Sequence, residues 1–196
     1  MLQNSARKLL LIITAALFVP AAVVASPGAP SRSTPDFGSN TSLSSSKATF
    51  LLQQIQADAF QVRNEADQLE SFNLNEEMDW RTHADLWETM RDQINDMSQM
   101  LHQLEINRAS LQPWETEAVD RIAPAIFEMA NNTEIAIHFL NNNQNHLFTP
   151  TYASYPVEVR GEAHRVELSL KNFEQYAQAK HELNLLSKRL DLKGNS

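Results

Sequence analysis

Apolar residues recur every three or four positions along two long segments in the first half of the chain. The first stripe consists of Leu52, Ile55, Ala59, Val62, Ala66 and Leu69. The second consists of Trp80, His83, Trp87, Met90, Ile94, Met97, Leu101 and Leu104. This spacing places the stripe on one face of an α-helix. The pattern predicts one helix over Lys47 to Ser71 and a second helix that Asn75 caps.

The same spacing continues in the second half of the chain. A third stripe consists of Val119, Ile122, Ile126, Met129, Thr133, Ala136 and Leu140. Pro113 and Glu115 suit the first turn of this helix, where a missing amide N–H is tolerated and an acid is favoured. A fourth stripe consists of Val159, Ala163, Val166, Leu170, Phe173 and Ala177, followed by Leu183, Leu186 and Leu190. It predicts a helix from about Val157 to Leu190 whose stripe rotates as helices coil around one another.

Four amphipathic helices joined by short connections predict an all-α fold. The simplest arrangement is an antiparallel up-down-up-down four-helix bundle over residues 47–192. No segment alternates apolar and polar residues long enough to predict a sheet. The alternative architecture is a three-helix bundle with a detached first helix.

The N-terminal segment has the pattern of an export signal. Two basic residues, Arg7 and Lys8, precede an apolar run that ends in small residues at Ala25. Residues 1–25 are therefore predicted to be a cleaved signal peptide, which places the protein in the periplasm or outside the cell with no membrane span after cleavage. The alternative is an uncleaved anchor. Residues 26–46 are rich in serine and proline and predict a flexible linker.

Composition excludes several kinds of chemistry. The chain has no cysteine, so disulfides, thiolate metal sites, covalent haem attachment and cysteine nucleophiles are all ruled out. A formal net charge of −8 argues against nucleic-acid binding. With only 4 glycines, the chain contains neither a phosphate-cradling loop nor a Gly-x-Ser-x-Gly nucleophile motif. We therefore expect neither an enzyme nor a cofactor.

Three of the six histidines are expected at one end of the bundle. These are His83, His138 and His164, which are the candidate ligands for a metal. At 100° per residue, His138 and His164 point about 140° and about 160° away from their own stripes, so the three do not converge. His83 lies on its stripe and predicts a buried imidazole that needs a hydrogen-bond partner, with Asp79 or Asn64 as candidates.

The predicted connection over residues 141–155 carries aromatic side chains at the same bundle end. His146, Phe148, Tyr152 and Tyr155 are candidates either for contact with a partner or for a lid over the end of the bundle. The function that the sequence favours is an exported, non-catalytic interaction or sensory module whose partner is a protein of the cell envelope. The alternative is a carrier of a small ligand or metal, haem or copper, centred on His83 and this loop.

Overall fold

A computed structural model of the chain describes residues 44–72, 79–144 and 147–194. The four long helices are α1 (Ser45–Phe72), α2 (Trp80–Ile106), α3 (Pro113–Asn142) and α4 (Pro150–Gly194), with a single 3-10 turn (Arg108–Ser110) between α2 and α3. These described segments contain no strand. The predicted signal peptide and most of the predicted linker lie outside them, as does Asn75.

The four helices form a square in which α1 and α3 each pack against α2 and α4. Neighbouring helices are antiparallel. On α1 and α4, Arg63 pairs with Glu167 at 2.8 Å and Glu70 pairs with Arg160 at 3.2 Å, so one helix advances as the other returns. The predicted all-α four-helix bundle is confirmed. The alternative with a detached first helix is wrong, because α1 contributes a full stripe to the core.

Most of the core consists of residues from the predicted stripes. Trp87, Met90 and Met97 of α2 are fully buried, as are Ile126 and Met129 of the neighbouring helix α3. Two members of the predicted α2 stripe, Trp80 and Leu101, are half-buried and pack on its edge. A continuous interior of this kind explains how a chain without disulfides holds one fold, since burial of apolar surface is the dominant favourable term.

Two helices begin at residues other than those predicted. The N-cap of α2 is Asp79, whose carboxylate accepts a hydrogen bond from the backbone N–H of Arg81 at 3.3 Å, and not Asn75. Helix α4 begins at Pro150 rather than near Val157. The Thr149 hydroxyl accepts from the backbone N–H of Tyr152 at 3.2 Å and so caps the helix. The connection before α4 is therefore shorter than predicted.

The C-terminal part of α4 extends beyond the buried core. Phe173 is the last half-buried aromatic residue, and every described side chain from Gln178 to Leu190 is exposed. The prediction that the later leucines continue the bundle stripe is wrong. At 100° per residue, Leu183 lies about 140° from Leu170, and Leu186 about 160°, so both point away from the bundle. Within the described residues, no helix has both the length and the hydropathy needed to cross a bilayer.

Candidate functional site

The histidine that the sequence places on a core stripe is fully buried. His83 has 0% exposure, and its ring contacts Phe72 at the end of α1 and Tyr152 in the first turn of α4. His138 and His164 are exposed on the outer faces of α3 and α4. In the described part of the chain, no group of three or more histidine, aspartate or glutamate side chains lies close enough together to hold a metal ion.

One hydroxyl joins two buried side chains of α2 to α4. Trp87 Nε1 donates to Tyr152 Oη at 2.9 Å, and the same oxygen lies 3.2 Å from His83 Nδ1. With His83 as the neutral Nε2–H tautomer, Tyr152 accepts from Trp87 and donates to His83. We call these three residues the Tyr152 triad. Helices α2 and α4 lie diagonally opposite each other in the square and do not pack extensively against each other. The hydrogen bonds of the triad therefore set the distance between these two helices.

The partner of His83 is therefore Tyr152, and not Asp79 or Asn64 as predicted. Asp79 is exposed and binds Arg81 instead. The prediction missed Tyr152 because it placed this residue in a loop. A signal for the correct position exists, since Tyr152 and Pro156 extend the α4 stripe backwards at the same alternating spacing, and both are buried.

Burial keeps His83 and Tyr152 uncharged near neutral pH. Desolvation lowers the pKa of His83, which keeps its imidazole neutral. Desolvation also raises the pKa of the Tyr152 hydroxyl, and this effect outweighs the opposite influence of the Trp87 N–H. His83 Nε2 has no hydrogen-bond partner among the described residues. The arrangement thus favours a fixed hydrogen-bond network over proton transfer.

The remaining residues of the predicted lid are distributed around this end of the bundle. Tyr155 is half-buried and lies with Tyr152 against Phe139 at the end of α3, with ring centroids 6.1 and 5.7 Å from that of Phe139. Phe148 is 41% exposed. His146 lies outside the described residues. Tyr152 and Tyr155 belong to α4 rather than to the connection, so helix geometry fixes their backbone positions.

A buried carboxylate at the opposite end of the bundle was not predicted as a functional or structural site. Glu115 of α3 has 0% exposure. Its Oε1 accepts from the hydroxyls of Ser45 and Thr49 at 3.3 and 3.0 Å, and its Oε2 accepts from the backbone N–H of Gln112 at 2.7 Å. Ser45 and Thr49 belong to α1, which lies diagonally opposite α3 in the square. One diagonal of the square is therefore joined by buried hydrogen bonds and the other by part-buried hydrogen bonds to a buried carboxylate, one at either end.

We expect His83→Leu to keep the helical fold and to lower the free energy of unfolding by about 1–2 kcal/mol at pH 7.5, because Tyr152 loses a hydrogen-bond partner. The pKa of His83 is lower in the folded state, so the unfolded chain takes up the proton first as the pH falls. The wild type then loses stability below about pH 6.5, and His83→Leu does not show this loss. The difference between them should shrink at pH 5.

Urea unfolding followed by circular dichroism at pH 7.5 and pH 5 measures both effects. A stability difference that stays constant between the two pH values contradicts the assignment of His83 as a neutral buried group. Loss of helical signal before urea is added contradicts its assignment to a local hydrogen-bond network.

A second set of apolar residues lies at the surface where α4 leaves the bundle. Trp114 of α3 and Phe173 and Tyr176 of α4 line a groove of about 420 Å³, and Tyr176 is 55% exposed. Beyond the groove, Leu183, Leu186 and Leu190 are 67%, 52% and 69% exposed. The chain thus has an enclosed polar network at one end and an open apolar surface at the other. Comparison with protein-family models, curated proteins and solved structures gives no match for this chain.

Proposed function

We propose that the protein is an exported, non-catalytic interaction module of the cell envelope that binds its partner through the exposed end of α4. The observation that carries this proposal is the exposure of apolar residues on one face of that helix. We call this face the C-terminal seam, and its members are Tyr176, Ala179, Leu183, Leu186 and Leu190. The rest of the bundle positions the seam and holds it clear of the core.

The seam is energetically unfavourable while its apolar side chains remain exposed to water. Burying apolar surface contributes roughly 25 cal/mol per Å², so leucines that remain more than half exposed forgo most of that stabilisation. Leu183, Leu186 and Leu190 are more exposed than any member of the core stripes. Contiguous apolar surface of this kind is typical of sites where another protein binds.

The chemistry of the other end of the molecule supports the non-catalytic part of the proposal. His83 and Tyr152 are the buried groups of the predicted site that could carry a proton, and each is engaged by the other. The pKa of each is shifted so that both groups are neutral near pH 7. Export is supported by the signal-like pattern that ends at Ala25, which lies outside the described residues.

A photo-crosslinker in the seam tests the proposal in the cells that make the protein. We place p-benzoylphenylalanine at the position of Leu186 in one variant and at the position of Lys188 in the control. Lys188 is also exposed but lies on the opposite face of the same helix. We expect a discrete protein adduct from position 186 and none from position 188. Equal yields from the two positions, or no adduct from either, would contradict the proposed function.

A further inference from the structure

The C-terminal seam has the spacing of a coiled coil. Its members lie alternately three and four residues apart, which assigns Tyr176, Leu183 and Leu190 to one core position of a heptad and Ala179 and Leu186 to the other. All of these residues are exposed, and they form one face. The positions that point along the core direction of α4 instead hold polar residues such as His181 and Lys188. A second helix can therefore approach from outside the bundle.

The charged residues beside the seam are complementary to those beside the seam of a second chain that runs in the opposite direction. Glu182 and Arg189 occupy equivalent heptad positions next to Leu183 and Leu190, and both are exposed. In an antiparallel pair, Leu183 of one chain faces Leu186 of the other, and Glu182 faces Arg189 of the other chain. Twofold symmetry produces this ion pair twice. In a parallel pair, Glu182 faces Ser187, and no ion pair forms.

We propose that the partner of the seam is a second copy of this chain, which forms an antiparallel two-stranded coiled coil over residues 179–190. This inference rests on the proposed function and names its partner. The helix already exists as an extension of the bundle, so association does not have to meet the cost of nucleating it. The two helices run in opposite directions, so the two bundles lie at opposite ends of the coiled coil.

The size of the seam sets the strength of the dimer. Two heptads bury less than the roughly 800 Å² per partner of a standard stable interface. A weak dimer is therefore expected, rather than a permanent one. The contact is also reversible by dilution, which makes it measurable by sedimentation equilibrium of the full-length chain between about 5 and 200 µM.

The first test replaces two seam leucines without disturbing the helix. We expect Leu183→Gln combined with Leu186→Gln to raise the dissociation constant at least tenfold, because glutamine keeps helix propensity and removes the apolar contact. The matched control, Asn184→Gln with Lys188→Gln, changes the opposite face of the same turns and should leave the constant unchanged. The melting temperature at low concentration should be the same for all three proteins. A wild type that is monomeric at 200 µM, or a seam variant that associates like the wild type, overturns the proposal.

The second test concerns the orientation of the two helices. Glu182→Arg and Arg189→Glu each place like charges opposite one another in the antiparallel pair, so each alone should weaken the dimer several-fold. The double substitution restores both ion pairs and should recover most of the wild-type constant. A parallel pair leaves these two positions apart, so single substitutions without effect, or a double substitution without recovery, overturn the antiparallel arrangement.

The outcomes also separate this inference from the proposed function. The adduct formed at position 186 in cells has the mass of two chains when the partner is a second copy. An adduct of another mass, together with a purified chain that stays monomeric, overturns the second copy as partner and leaves the seam as an interaction surface. If no adduct forms in cells but the purified chain still dimerises, the proposed function is overturned. The inference that two copies can pair through the seam then still holds.

Discussion

Met97→Asp is expected to remove a large part of the free energy of unfolding of the bundle. Met97 has 0% exposure and belongs to the central part of the α2 stripe. A carboxylate at this position is surrounded by apolar side chains and has no cation to pair with, and burying such a group costs about 5 kcal/mol. Domains of this size are stable by about 5–15 kcal/mol, so one substitution removes a large part of the total.

Circular dichroism at 222 nm during heating measures this effect. The matched control is Gln99→Asp, which adds the same charge two residues along the same helix at an exposed position. We expect the control to stay within about 0.5 kcal/mol of the wild type. If Met97→Asp melts within a few degrees of the wild type, Met97 does not face the core and the orientation of α2 is wrong.

The stripes of α1 and α2 show why the fold could be predicted from the sequence. Their apolar residues alternate at three and four positions without a break, and such a pattern is compatible with one helix face only. Trp87 and Ile94 are buried as this pattern requires. The order of the helices follows from their short connections, because two long helices joined by a few residues must be antiparallel neighbours.

Helix ends were predicted less well because several residues can satisfy the same local rule. Asn75 and Asp79 are both good N-caps, and the sequence does not show which of them begins α2. At α4, Pro156 was interpreted as the end of a loop. Pro150 is instead the first residue of the helix, and the helix continues through Pro156. Pro156 removes one backbone hydrogen bond from the second turn of the helix, and its ring is buried against the core.

The end of α4 shows that the spacing of apolar residues does not by itself predict which of them are buried. Leu183, Leu186 and Leu190 have the right spacing for a stripe, and the sequence alone assigned them to the bundle. They lie on the opposite face of α4 from Leu170, and no other helix of the described residues packs over them. Spacing predicts that a helix has an apolar face, whereas only the position of neighbouring helices determines whether that face is covered.

The two buried polar contacts could not be predicted because their partners are far apart in the chain. Glu115 binds Ser45 and Thr49, and Tyr152 binds Trp87 and His83, across separations of 65 to 70 residues. Apolar stripes are compatible with several relative rotations of the helices, whereas a hydrogen bond across each diagonal is satisfied by few of them. We infer that these contacts select one packing among the alternatives that the stripes permit.

Tyr152→Phe is the direct test of that role, and we expect it to lower the free energy of unfolding by about 2–4 kcal/mol. Phenylalanine preserves the ring packing on Phe139 but leaves the Trp87 N–H and His83 Nδ1 without their shared partner. Each buried polar group that loses its partner costs about 1–3 kcal/mol. The matched control is Tyr155→Phe, since the Tyr155 hydroxyl makes no hydrogen bond within the described residues, and its effect should stay below about 1 kcal/mol.

A double-mutant cycle separates a shared network from two independent contacts. If His83 and Tyr152 act through the same hydroxyl, then His83→Leu costs less in the Tyr152→Phe background than in the wild type, and the coupling should be about 0.5–1.5 kcal/mol. Urea unfolding of the four proteins at pH 7.5 measures this coupling. Additive effects would mean that the 3.2 Å hydrogen bond between Tyr152 Oη and His83 Nδ1 contributes nothing to stability. In that case the Trp87 bond alone would join α4 to α2 across the diagonal.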